Sequence, residues 1–213
     1  MKYALLILVA LHLSNCFAES TPSRHPVRTI GFWGDALKNP IEKKIGEPTP
    51  PKLIEFLVQD NKENGWPNVP KAANPSAEFK KDIENAIKEL PDNVIQKINA
   101  KLLGIFFVTD LGGSAYSETV FDRQGQEIAG FIVVDLTSMD RLANEWATWK
   151  ESSPFKFDLY SLEAIVEEPA HNNRKNALQY ILLHEFGHTL PIGSPLLPST
   201  AIKPKDIKVR PSM

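Results

Sequence analysis

Proline placement constrains this chain more than any other feature. Of its 17 prolines, nine fall early, at Pro22, Pro26, Pro40, Pro48, Pro50, Pro51, Pro67, Pro70 and Pro75. Proline fixes φ and lacks a backbone donor, so regular helices and sheet ladders are excluded from most of this segment. Only Lys52 to Asn61 leaves room for a short helix, with Leu53, Phe56 and Leu57 on one side. Residues 19–75 are therefore expected to form an N-terminal arm wrapped on the domain, or a pro-segment that covers a site.

Ahead of the arm, Met1-Lys2 is followed by an apolar stretch from Ala4 to Leu13 and then by Cys16-Phe17-Ala18. A charged start, a short apolar middle and a small residue at the cut are the layout of a secretory signal peptide, here residues 1–18. The stretch is too short to span a membrane comfortably. Cleavage after Ala18 would remove the only cysteine, so the mature chain would hold no disulfide. The expected location is secreted or periplasmic. The alternative is a lipoprotein: Leu13-Ser14-Asn15-Cys16 resembles a bacterial lipoprotein box, which would make Cys16 a lipid anchor.

Downstream, Ser76 is placed to cap a helix through about Leu90, carrying Phe79, Ile83, Ala86 and Ile87 on one stripe, and Pro91 ends it. A second helix is expected across Val94, Ile95, Ile98 and Leu102. The apolar run Ile105 to Val108 then reads as a strand. Ser117 to Asp122, a Gln124-Gly125 turn and Ile128 to Asp135 read as a hairpin, with Phe131 to Val134 buried on both faces. Ser138 is expected to cap a helix through about Lys150, Ser161 to Val166 to form a short strand, and Asn172 or Asn173 to cap a last helix from about Arg174 to Leu190. No internal repeat is visible. The pattern is that of one α+β domain over residues 76–213, a mixed sheet packed against helices. A formal net charge of -2 with interspersed acids and bases offers no positive face for nucleic acid.

The last helix carries the chemistry. His184 and His188 are four residues apart, so both imidazoles share one helix face about one turn apart and can grip one ion. Glu185 is displaced around the helix from them. Aliphatic neighbours at Ile181, Leu182, Leu183 and Leu190 imply a largely buried helix, where unpaired His and Glu would be costly and a bound cation would relieve the cost.

The run His184-Glu185-Phe186-Gly187-His188 resembles the His-Glu-x-x-His motif of the zincin metallopeptidases. The resemblance covers about ten residues closely and implies a zincin-like fold with this motif on the last long helix. It also implies a Zn2+ cofactor held by His184 and His188, and a peptide or protein substrate. Glu185 would be the catalytic residue, a general base that takes a proton from the attacking water and later delivers it to the leaving amine. In zincins the substrate commonly lies along an edge strand, here Ser117 to Asp122 or Ser161 to Val166.

The third ligand departs from the pattern. Metzincins have Gly and His where this chain has Pro191 and Ser194, and the downstream Glu of gluzincins is missing, because no Glu, His or Cys follows Thr189. Asp206 is the only acid there and is the candidate ligand of aspzincin type. Asp158, Glu163, Glu167, Glu168 and His171 are upstream alternatives. Tyr116, Tyr160 and Tyr180 are candidates to stabilise an oxyanion. Against the exported zinc peptidase stands a second reading, a catalytically inactive or truncated zincin-like binding protein with an incomplete metal site.

Overall fold

The computed structural model describes residues 25–155 and 161–194. Its elements, in chain order, are α1 (Ile30–Trp33), α2 (Pro51–Glu63), β1 (Lys71–Ala72), α3 (Ala77–Lys88), α4 (Asp92–Asn99), β2 (Leu102–Thr109), β3 (Ala115–Phe121), β4 (Glu127–Asp135), α5 (Leu136–Met139), α6 (Ala143–Ser152) and α7 (Arg174–Thr189). The fold is α+β. The sheet is mixed, in the order β1-β2-β4-β3. β2 and β4 run parallel, whereas β1 on β2 and β3 on β4 are antiparallel. β3 is therefore an edge strand.

Helices cover both faces of this sheet, which is why β2 and β4 read as continuous apolar runs rather than alternating ones. On one face, Ile105, Phe107, Ile132 and Val134 pack against residues of α3, α4, α6 and α7. On the other, Leu103, Phe106, Val108, Phe131 and Val133 meet Val27, Trp33, Leu53, Phe56 and Leu57. The proline-rich segment thus supplies one whole side of the core. Trp33 stacks at ring-centroid distances of 5.4 Å on Phe106 and 5.2 Å on Phe131, and its indole N–H donates to the Val27 carbonyl.

The same segment buries Lys44, only 1% exposed, whose ammonium donates to the carbonyls of Leu37 and Asn99 at 3.0 and 2.7 Å. Desolvation lowers its pKa from 10.5 to about 8. A lysine whose folded pKa lies below its unfolded value binds fewer protons when folded, so stability should rise as pH climbs from about 8 towards 10.5. Urea midpoints across that window should show the rise in the wild type and a flatter profile in Lys44→Met.

The helix expected across Val94 to Leu102 stops at Asn99, and Leu102 begins β2. Two further expectations fail for local reasons. The helix expected from Ser138 is split. The Asp135 carboxylate accepts from the Ser138 N–H at 2.8 Å and winds the short α5, the chain turns at Asp140, and α6 restarts with Glu145 accepting from the Leu142 N–H. Residues Ser161 to Val166 form no strand. Side chains of α6 take their place in the hydrogen bonding, with Thr148 Oγ1 accepting from Ala164 N–H and Asn144 Oδ1 from the N–H groups of Val166 and Glu167.

Candidate metal centre

α7 begins at Asn173, whose side chain accepts from the Asn176 N–H at 2.9 Å and so satisfies one of the helix's free donors. Its inner face consists of Ala177, Leu178, Ile181, Leu182, Phe186 and Thr189. Its outer face carries Tyr180, Leu183, His184 and His188, all exposed. The expectation that both histidines are buried is corrected. Helical periodicity turns them outward, and the burial falls on Glu185, which is 4% exposed; its backbone carbonyl accepts from Thr189 Oγ1, and its carboxylate receives no hydrogen bond or ion pair from any described residue.

His184 Nε2 and His188 Nε2 point at one another across 3.3 Å, with ring centroids 4.9 Å apart. Two nitrogens bound at about 2.0–2.1 Å to a tetrahedral zinc stand about 3.3–3.4 Å apart, so the observed spacing matches that of a pair of ligands. Without an ion, the same spacing accommodates one imidazole N–H donating to the other ring.

These side chains line a cleft of about 430 Å³ between α7 and β3, together with Ser117, Thr119 and Ile192. Ala115 joins the α7-side core while Tyr116 and Val120 join the opposite one, so alternation turns Ser117 and Thr119 towards the histidines. The Gly130 N–H donates to the Lys101 carbonyl, away from β3. Its partner Thr119, and by alternation Ser117 and Ala115, therefore direct their backbone polar groups outward from the sheet edge. Of the two edge strands expected to hold substrate, 117–122 falls on the real edge.

A second hollow of about 360 Å³ opens on the other side of His184 and Glu185, walled by Gly112, Gly113, Trp146, Trp149 and Tyr180. Of the tyrosines, Tyr116 is occupied. Its hydroxyl donates to Glu118 at 2.7 Å, and burial, then the neighbouring carboxylate, pushes its pKa far up. Tyr180 rests against Trp146 at 5.3 Å and lines this second hollow, and Tyr160 lies outside the described residues.

The third ligand does not appear in the described part of the chain, where no group of three or more His, Cys, Asp or Glu is placed to hold a metal. Glu167, Glu168 and His171 precede α7, and the His171 carbonyl accepts from the side chain of Asn176, about 12 Å of helical rise before His184. Glu163 is exposed on the 161–166 segment. Asp206 and Asp158 lie outside the described residues, as do residues 1–18 with Cys16. No described helix is long and apolar enough to cross a membrane.

Two features escaped sequence reasoning. Glu118 is held by Arg28 at 3.2 Å and accepts from the Thr119 N–H at 2.8 Å, which fixes the edge strand across ninety residues of sequence. The wall formed by Ile192 and Gly193 also escaped, although Gly193 so soon after the helix end was a visible sign of a tight turn. No protein-family model, no curated protein and no solved structure matches this chain.

Proposed function

We propose that this chain is an exported zinc-dependent peptidase of zincin type. The observation that carries the reading is the 3.3 Å approach of His184 Nε2 to His188 Nε2 at the mouth of a cleft, one position around the helix from a buried, unpaired Glu185. Glu185 lines the same cleft as the two histidines, where its carboxylate can reach a bound ligand. Zinc bound here would polarise a scissile carbonyl and lower the pKa of a water.

The chain's own residues do the rest. His184 and His188 would hold the ion, their Nε2 atoms already facing each other. Glu185, within the same cleft, takes a proton from the attacking water on a carboxylate oxygen and returns it to the leaving amine. The outward backbone groups of Ala115 and Ser117 pair with an extended substrate, which fixes its main chain without reading its sequence. The hollow bounded by Trp149 and Tyr180 receives an apolar side chain next to the bond being cut. Asp206, which lies outside the described residues, is the candidate that would complete the coordination. The signal sequence delivers the chain outside the cytoplasm.

A second reading, a zincin-like binding protein without turnover, is favoured by one observation, the lack of a third ligand among the described residues. Metal analysis separates the two. The purified mature chain should retain about one zinc per molecule and lose it to a chelator, together with cleavage of a mixed peptide library. Asp206→Asn should weaken zinc retention. A wild-type chain that holds no zinc rules out the peptidase.

A further inference from the structure

The hollow beside His184 continues the cleft, since Ala115, His184 and Glu185 belong to both. Its aromatic lining follows from helical spacing. Trp146 and Trp149 lie three residues apart on one side of α6, and Tyr180 and His184 lie four apart on the outer side of α7. Packing of α6 on α7 gathers them around one space. Trp146 and Ile181 are buried and form its floor, while Trp149 and Tyr180 stand exposed at its sides.

The floor offers nothing to a charged group. The Trp146 indole N–H already donates to Ser114 Oγ, and Lys150, the one ammonium that lines the hollow, is exposed and held by Glu151 at 3.1 Å. A charged side chain inserted here would lose water against Trp146 and Ile181 without a matching partner beneath it.

Trp149 is set in place although it is 39% exposed. It also lines a third hollow, of about 360 Å³, and there Arg141 lies over its ring, with 4.9 Å from guanidinium carbon to ring centroid. The guanidinium is itself fixed, because Nη1 donates to the Thr137 and Ser138 carbonyls at 2.9 and 2.7 Å, at the end of α5. Arg141 lines the third hollow and not the one beside His184, so the indole stays uncovered on the side of the histidines. A ring held this way need not be ordered when a ligand arrives. An aliphatic side chain would fill the same space, but only another ring gains the offset or edge-on contact with Trp149 and Tyr180.

On the reading of the site as a zinc peptidase, we infer that the chain cuts next to aromatic residues. The side chain of a Phe, Tyr or Trp flanking the cleaved amide enters the hollow and stacks on Trp149, while its main chain pairs with Ala115 at the edge of β3. Trp149 sets this preference, and Arg141 positions Trp149. Water adds across the amide to give a carboxylate and an amine.

Mass spectrometry of a mixed peptide library cut by the zinc-loaded full chain should show Phe, Tyr and Trp concentrated at one of the two positions flanking the cut. Cleavage without that concentration, or with aliphatic residues equal to aromatic ones there, would overturn the inference and leave the peptidase standing. If nothing in the library is cut, the peptidase reading falls and this inference with it.

A binding measurement needs no turnover. Calorimetry on zinc-loaded Glu185→Gln should find a peptide with Phe at the selected position bound about 2- to 10-fold more tightly than the same peptide with cyclohexylalanine, the range of an aromatic pair beyond its buried area. Adding Trp149→Leu should shrink that difference with zinc content kept, and an undiminished difference would refute the assignment to this ring. In the active chain, Arg141→Met should raise KM for the Phe peptide at nearly constant kcat, and Arg141→Lys, which keeps a cation over the ring, should recover part of the loss. A wild-type KM in Arg141→Met would remove Arg141 from the positioning of Trp149.

Discussion

Glu185→Gln is expected to lower kcat for peptide hydrolysis by about 10²- to 10⁴-fold, the range supplied by a positioned general base. Glutamine keeps the shape of the side chain and removes its ability to accept a proton. Three further outcomes separate this from a folding defect. Zinc content should stay at the wild-type level, because the ion would be held by the two Nε2 atoms that face each other and not by Glu185. Thermal stability should be kept, because glutamine fills the same space as Glu185. His184→Ala should behave oppositely, losing zinc and activity together while leaving the fold intact, since His184 is exposed and makes no core contact. Unchanged hydrolysis in Glu185→Gln with zinc bound would remove Glu185 from the mechanism.

Much of the frame around this residue is legible in the sequence, and the illegible parts share a cause. β2 and β4 announce themselves because both faces of the sheet are covered, leaving apolar runs at Ile105 to Val108 and Phe131 to Val134. α7 is legible from its cap at Asn173 and its inner stripe. What fails depends on partners distant in sequence. Whether Ser138 starts a helix turns on the Asp135 carboxylate outcompeting it, and whether 161–166 forms a strand turns on Asn144 and Thr148. The motif at His184 to His188 is visible in the sequence but its exposure is not, because the aliphatic neighbours Ile181 and Leu182 occupy the other side of the helix. The wall at Ile192 and Gly193 is invisible there too, since it depends on Lys101, Glu127 and Gly130 meeting a turn some sixty to ninety residues later.

Trp146→Ala is expected to cost about 3–5 kcal/mol, the range for removing a buried aromatic. Against a total stability of about 5–15 kcal/mol, this brings the chain close to unfolding at ordinary temperature. Trp146 is 1% exposed in the core on the α7 side of the sheet, its indole N–H donates to Ser114 Oγ at 2.8 Å, and its ring meets Tyr180 of α7 at 5.3 Å. It therefore ties α6 both to the turn that feeds the edge strand and to the helix that carries the histidines. Trp146→Phe isolates the polar part: most of the packing remains, the Ser114 hydroxyl loses its donor, and the loss should be about 1–2 kcal/mol. Chemical denaturation of both variants measures the two costs. If the ring also spaces α7 from β3, Trp146→Phe should raise KM for peptides whose apolar side chain enters the neighbouring hollow while zinc content is unchanged, because the histidine pair is set within α7 alone. A variant that lost zinc in step with stability would instead show that the 3.3 Å approach of the two imidazoles depends on α6.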